Sequence, residues 1–290
     1  MTKQIIAVHG ATGAQGRPVV HALLLAGYAV QAISRSGSTD GFEGSVTGFS
    51  ADLLNVTQLA STYAGVAAVI IVLPGGATDD TAQRHSETIL KALKRAQVPR
   101  AIFNSSGGLW DAPTGVPMID ARSLLAQNLS TTVRHSTVIA PAGIFFDVFS
   151  EGWVMERLMR DNVLVGPAPA EASMRPVAMA DLAAVMVDLL RGAQSWPPHI
   201  VVSGPEDVTG TAFATAIAAQ RGKPTDYLQI SPAEHMQAVA DGLSQQYAKN
   251  IGALYGPGAN VPPPSAPGGG ARFVTGPTGL ATFVVSQSWD

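Results

Sequence analysis

The chain predicts an α/β fold: a doubly wound parallel sheet carrying a smaller C-terminal α/β cap. Three observations carry this. Apolar, β-branched runs alternate with amphipathic segments through the first part of the chain, as far as Ser105. The run Ala67–Leu73 is continuously apolar and closes on Pro74-Gly75-Gly76, the pattern of a parallel strand buried on both faces. After Pro141 the alternation gives way to a segment rich in aromatics and methionine, Phe145–Met159. Strand–helix alternation of the first kind builds right-handed βαβ units.

The elements follow in order. Gln4–His9 reads as a strand, and Arg17–Ala26 as a helix stopped by Gly27, a residue suited to the left-handed C-terminal position. Strands are expected at Tyr28–Ser34 and, more weakly, Val46–Phe49, then a short helix near Val56–Ala64. The strand Ala67–Leu73, a helix over Thr81–Ala96, the strand Arg100–Ser105, a helix near Ile119–Asn128 and the strand Ser136–Ala140 complete about six units. Beyond them lie a helix at Ala180–Arg191, a strand at His199–Ser203, helices at Thr211–Arg221 and Pro232–Tyr247, and a short strand between them at Tyr227–Ile230. Gly256–Gly279 holds seven glycines and six prolines, so it is expected as a loop or mobile segment. The predicted division is a nucleotide-binding domain over 1–144, rejoined by about 175–204, and a cap formed by 145–174 and 205–290.

Composition narrows the chemistry. Only 13% of the 290 residues are charged, and 18 basic against 21 acidic residues leave a net charge of −3. That excludes a strongly basic nucleic-acid binder. The chain has no cysteine, which removes disulfides, cysteine–zinc clusters and thiol nucleophiles and fits a cytoplasmic protein. No run reaches the ~18 apolar residues of a membrane span. The six histidines show no close metal-ligand spacing, so no metal is expected.

The informative string is His9-Gly-Ala-Thr-Gly-Ala-Gln-Gly-Arg17. Its glycines, Gly10, Gly13 and Gly16, fall between the first strand and the first helix. There they permit a tight turn, let a diphosphate approach the backbone, and present it to a helix N-terminus. This is the Rossmann-type arrangement. The second strand ends in Ser34-Arg35-Ser36, with no acidic residue before Asp40. Arginine there suits a 2′-phosphate, whereas a carboxylate would suit a free 2′-hydroxyl, so NADP(H) is the expected cofactor. Asp52 stands either to meet the adenine edge or to cap the following helix.

GATGAQGRPVV, the Arg35 strand end, SADLLN and IVLP together resemble the NmrA-like branch of the atypical short-chain dehydrogenase/reductases. Met174–Leu190 (MRPVAMADLAAVMVDLL) and the SGPE…GKP…Y stretch within Val201–His235 are similar to that group as well, so the likeness spans Thr2–Asp241. It implies a doubly wound sheet with a cap, NADP(H) binding and a cleft between the two parts. It leaves the activity open, because the group holds reductases of quinones and enones and also catalytically silent redox-sensing regulators. The cofactor-binding set expected on these grounds is Gly10, Thr12, Gly13, Gln15, Gly16, Arg35 and Asp52. Leu73, Pro74, Ser105, Pro141 and Gly143 are expected near the nicotinamide.

Typical short-chain dehydrogenases carry Tyr-x-x-x-Lys, one helical turn apart, so that the lysine lowers the tyrosine pKa. None of the five tyrosines has lysine four residues on, and no lysine occurs between Arg95 and Gly222. Arg122 falls where NmrA-like enzymes commonly place lysine. It either holds ribose or phosphate or is an exposed helix charge, and it cannot act as an acid. Ser105 and Ser106 are candidate donors to a substrate carbonyl and Asp120 a candidate proton donor; their bland readings are turn residue and helix cap. Such a set fits hydride transfer to an acceptor that is already electron-poor.

Trp110, Met118, Phe145, Phe146, Phe149 and Trp153 are expected either to wall an apolar cleft for a flat substrate or to pack the cap core. The leading reading is an NADPH-dependent reductase of a small conjugated or electron-poor acceptor (quinone, enone or imine), with no nucleic-acid or membrane partner and a homodimer left open. The second is a non-enzymatic NADP(H)-sensing protein that binds a regulatory partner.

Overall fold

The computed structural model describes residues 3–150, 152–192, 196–256 and 259–289. Glu151 of the expected cap, and Pro257 and Gly258 of the Gly/Pro-rich segment, lie outside the described residues. The described chain divides into two compact units. Unit 1 comprises Met1–Pro141, Met179–Val201 and Pro264–Val274; unit 2 comprises Ala142–Ala178, Val202–Pro263 and Thr275–Asp290. Most of the Gly/Pro-rich segment's second half thus belongs to unit 1, not to the cap.

In chain order the elements are β1 (Ile5–His9), α1 (Gly16–Leu25), β2 (Ala29–Ser34), β3 (Val46–Ser50), α2 (Val56–Thr62), β4 (Ala68–Val72), α3 (Asp79–Arg95), β5 (Arg100–Asn104), α4 (Pro117–Thr132) and β6 (His135–Pro141). After a 3-10 turn at Phe146–Ser150 come α5 (Gly152–Asp161), β7 (Val163–Gly166), α6 (Met179–Arg191), β8 (His199–Ser203), α7 (Gly210–Arg221), β9 (Asp226–Gln229), α8 (Pro232–Gly242), α9 (Gln245–Tyr255), β10 (Arg272–Thr275) and α10 (Leu280–Ser286).

One eight-stranded sheet has the order β10-β8-β6-β5-β4-β1-β2-β3. From β3 to β6 neighbouring strands pair in parallel, with Ile6 opposite both Val30 and Ala68. The strand order reverses between β1 and β4, which opens a crevice at the carboxyl ends of those two strands. Alternate residues face opposite sides. Ala7, Val69, Ile71, Ala101 and Phe103 pack with Leu59, Tyr63, Ile89, Leu93, Leu125 and Leu129 from α2, α3 and α4 and the turn after α2. Ile6, Val8, Ile70 and Ile102, on the opposite face, are also fully buried. That double burial is why these strands read as unbroken apolar runs.

The helix α3 shows how local sequence sets an element. Thr78 and Thr81 form a reciprocal capping pair, Asp79 and Asp80 occupy the first turn, and Lys94 and Arg95 the last. Each charge opposes the helix dipole at its own end. Two expectations are corrected. The helix expected over Pro232–Tyr247 is two, because Ser244 leaves helical geometry and accepts from the Tyr247 N–H as a new N-cap. Within the Gly/Pro-rich segment Arg272–Thr275 forms an edge strand, where pairing with β8 satisfies backbone that the composition alone leaves as loop. Asp52 is not a helix cap; Asn55 is, accepting from Gln58 N–H at 3.0 Å.

Unit 2 holds a two-stranded parallel sheet, β7 with β9. Its core is an aromatic stack of Phe146, Phe149, Phe213, Phe283 and Trp289. No helix among the described residues is long and apolar enough to cross a membrane.

Candidate functional site

The turn from β1 into α1 is built on backbone that only glycine tolerates. Gly10 has φ +61°, and the Gly13 N–H donates to its carbonyl at 2.9 Å. A β-carbon at Gly16 would fall onto the Gly10 carbonyl and within 2.9 Å of the Ala11 α-carbon. The turn is therefore closed on itself as tightly as a chain allows. Among the described residues the N–H groups of Thr12, Ala14 and Gln15 donate no hydrogen bond within the chain. Free donors at a helix N-terminus form an anion cradle, and these residues fit a dinucleotide diphosphate.

Beside the cradle, Thr12, Ser34, Arg35 and Ser36 line an open hollow of about 410 Å³. Arg35 is exposed; its carbonyl accepts from the Ser50 hydroxyl at 2.9 Å, but its guanidinium has no hydrogen bond or ion pair among the described residues. Arg17, the neighbouring cation, is engaged: its guanidinium lies 5.0 Å from the centre of the Phe42 ring and reaches the Asp40 carbonyl. Asp52 turns one carboxylate oxygen to the Leu54 N–H at 2.8 Å.

Beneath the turn, His9 Nε2 lies 2.5 Å from Tyr63 Oη. Burial holds the His9 imidazole down to about 4 and pushes the Tyr63 phenol up. Both are neutral at physiological pH, a structural pair under the cradle.

Across β4, a polar ring joins the cradle to the end of β5. Asn104 Nδ2 donates to Gln15 Oε1 at 3.0 Å, Ser106 Oγ donates to the same oxygen at 2.7 Å, and the Ser106 N–H donates to Asn104 Oδ1 at 2.9 Å. Ser106 holds φ +59° to make these bonds, a conformation that costs a side chain other than glycine's. Sequence reasoning placed Gln15 and Ser106 at the site but missed Asn104. The signal was present in the Asn104-Ser-Ser106 triplet that ends a buried strand.

The expected catalytic residues are placed as follows. Ser105 is fully buried and its hydroxyl donates to the Gly107 carbonyl at 2.7 Å. Asp120 accepts from Thr114 N–H, Thr114 Oγ1 and Gly115 N–H, at 2.7, 2.8 and 3.0 Å, which ties down the loop before α4. Arg122 is buried on α4, one turn after Met118. Leu73, Pro74, Met118 and His85 line a small nook with Ala77, Ala82 and Ala121. His85 has its pKa lowered by burial, with the Asp52 charge opposing and Arg84 reinforcing.

Of the expected substrate wall, Trp110 is buried in unit 1, and its backbone N–H donates to Ser123 Oγ at 3.1 Å. Phe146 and Phe149 turn into the unit 2 core against Phe213, and Trp153 packs edge-on to His235. Phe145 is buried and bridges to Val177. Pro141 closes β6, and Gly143, in unit 2, lies against the Arg175 carbonyl.

Comparison with known proteins agrees with this geometry. The structure is similar to a nucleoside-diphosphate-sugar epimerase from Staphylococcus aureus, at TM-score 0.71 and 16% identity over 97% of this chain and 99% of that one. An NADPH-dependent quinone oxidoreductase from Escherichia coli, solved with NADPH, matches at TM-score 0.65 and 20% identity over 97% and 99%. NmrA, a negative transcriptional regulator, matches at TM-score 0.64 and 18% identity over 90% and 84%. At such identities the likeness is one of fold, and one fold serves an epimerase, a reductase and a regulator. Residues 10–192, which begin at the cradle's first glycine, match the model of the NAD(P)H-binding family, and the chain belongs to that family.

Proposed function

We propose that the protein is an NADPH-dependent reductase of a small, electron-poor, conjugated acceptor. The observation that carries the cofactor choice is Arg35, a cation without a partner among the described residues, on the wall of an open hollow beside the glycine cradle. A guanidinium so placed suits the 2′-phosphate that distinguishes NADPH from NADH. Gly10, Gly13 and Gly16 would shape the diphosphate seat, and the N–H groups of Thr12, Ala14 and Gln15 would bind its oxygens. NADPH supplies a hydride when bound; the chain's task is to hold it and the acceptor in register.

The acceptor class follows from what the chain lacks. Met118 and Arg122 occupy α4 one turn apart, and neither is an acid at neutral pH. Ser105 and Asp120 already use their polar atoms within unit 1. An acceptor whose own resonance takes up the hydride's electrons needs no strong acid at the moment of transfer. The internal engagement of Ser105 and Asp120 also favours one second reading, a silent NADP(H) sensor.

Absorbance of NADPH followed against a panel of quinones, enones and iminium ions separates the two. Oxidation with at least one conjugated acceptor is expected. Tight NADPH binding with no oxidation by any of them would leave the sensor.

A further inference from the structure

We infer that Gln15, locked by Asn104 and Ser106, is a hydrogen-bond donor to the oxygen of the acceptor, and that it selects quinones and enones over cationic acceptors. The inference rests on the reductase reading and names the acceptor within it.

The first step is the orientation of two amides. A backbone N–H can only donate, so the Asn104 atom that meets the Ser106 N–H, at 2.9 Å, is Oδ1. The other end of that side chain is then the NH2 group, and it faces Gln15 at 3.0 Å. Gln15 must therefore present its carbonyl oxygen to Asn104. The Ser106 hydroxyl donates to that same oxygen at 2.7 Å. Asn104 is 1% exposed, and turning it over would leave two polar atoms buried and wrongly paired. The Gln15 NH2 group consequently points away from the ring. It has no acceptor among the described residues.

The second step is position. Along the sheet the order is β5-β4-β1-β2. Arg35 follows β2, the cradle lies over the end of β1, and Asn104 ends β5. Gln15 thus reaches from the cradle across β4, to the side opposite Arg35. A dinucleotide with its 2′-phosphate at Arg35 and its diphosphate at the cradle extends its redox end to this side. The Gln15 NH2 group is then an oriented donor where hydride leaves and the acceptor must sit.

The third step is chemistry. A quinone or enone that gains a hydride at carbon develops negative charge on oxygen, and a proton from water completes the two-electron reduction. An oriented neutral N–H donor stabilises that developing charge without giving up its own proton. The same dipole disfavours a cationic acceptor, whose charge the hydride cancels.

The test uses the whole protein with Asn104→Asp, Gln15→Leu and both together, at a pH shown by titration of the variant to ionise the new, buried carboxylate. That carboxylate only accepts, so Gln15 must turn its NH2 inward and present oxygen to the acceptor. With a naphthoquinone, kcat/KM is expected to fall about 100-fold in each single variant, with little further loss in the double. A cationic iminium acceptor should lose less than about threefold in Asn104→Asp, and in that variant NADPH affinity, read by fluorescence, should change by less than about threefold. Naphthoquinone affinity for the NADP+-loaded protein should weaken by about tenfold in Asn104→Asp. Parallel loss of NADPH affinity, or equal loss with both acceptors, would overturn the assignment. If the wild type oxidises NADPH with no acceptor, the reductase reading fails. The naphthoquinone titration then decides separately: weakening in Asn104→Asp upholds the donor, and no change sinks it. Should Asn104→Asp not fold, Ser106→Gly, which removes the hydroxymethyl side chain and relieves the positive φ, is expected to give a smaller loss of the same kind; no loss overturns the positioning role.

Discussion

His9 Nε2 and Tyr63 Oη lie 2.5 Å apart, 54 residues apart in sequence, directly beneath the turn that begins at Gly10. Burial lowers His9 to about 4, against about 6.5 in an unfolded chain. Between those values the unfolded state takes up a proton that the folded state refuses. Stability from this group is therefore complete above pH 6.5 and is lost as pH falls towards 4, by up to about 3 kcal/mol. Urea unfolding at pH 7, 6 and 5 should show the loss, and His9→Gln should flatten it. His85, His199 and His235 are also lowered, so a residual slope of the same sign is expected in the variant.

Arg35→Ala should weaken NADPH by roughly 10- to 100-fold, as expected for a charged hydrogen bond of about 1.5–3 kcal/mol, and leave NADH nearly unchanged. Titration with both cofactors checks this. Equal losses would remove the 2′-phosphate assignment.

Gly16→Ala forces a β-carbon into the Gly10 carbonyl. The backbone of the turn must move, at a cost of about 1–3 kcal/mol, and the cradle opens. Melting temperature and NADPH affinity are both expected to fall, whereas Gly27→Ala, where a β-carbon meets nothing, should cost only the strain of φ +88°.

Asp120→Ala removes three accepted hydrogen bonds from Thr114 and Gly115. The expected outcome is a stability loss of about 1–3 kcal/mol with an unchanged pH profile of turnover. A vanished pH limb with intact stability would make Asp120 the proton donor instead.

Phe213→Ala empties the centre of the unit 2 stack, where Phe213 meets Phe146, Phe149, Phe283 and Trp289. Such truncations cost about 3–5 kcal/mol, measurable by chemical denaturation.

The sheet was legible because its signals are local. A strand buried on both faces must be apolar throughout, as Ala68–Val72 is, and a cradle must be glycine where a β-carbon meets carbonyl, as at Gly16. Arg35 drew notice by its place after β2, and in the structure it lines the hollow beside the cradle. The unread parts depend on partners far along the chain. Asn104 and Gln15 are 89 residues apart, and neither carries a pattern that announces the other. The strand Arg272–Thr275 has no apolar alternation of its own; its backbone is ordered by the edge of a sheet formed elsewhere. The aromatics of Phe145–Met159 read as a cleft wall or a core with equal ease, and only the positions of Phe213 and Phe283 turn Phe146 and Phe149 inward.

The Ser265 N–H donates to the Leu109 carbonyl at 2.8 Å, the Ser265 hydroxyl accepts from the Asp111 N–H, and Pro264 lies where a side chain on Gly108 would stand. Pro264–Val274 thereby completes unit 1 more than 120 residues after β6 has closed its parallel run. During synthesis the nucleotide-binding unit emerges early, yet it must wait with an unfinished rim until most of the chain has left the ribosome. A fragment ending after α6 would carry the entire glycine cradle and still expose the β8 side of its sheet to any passing strand.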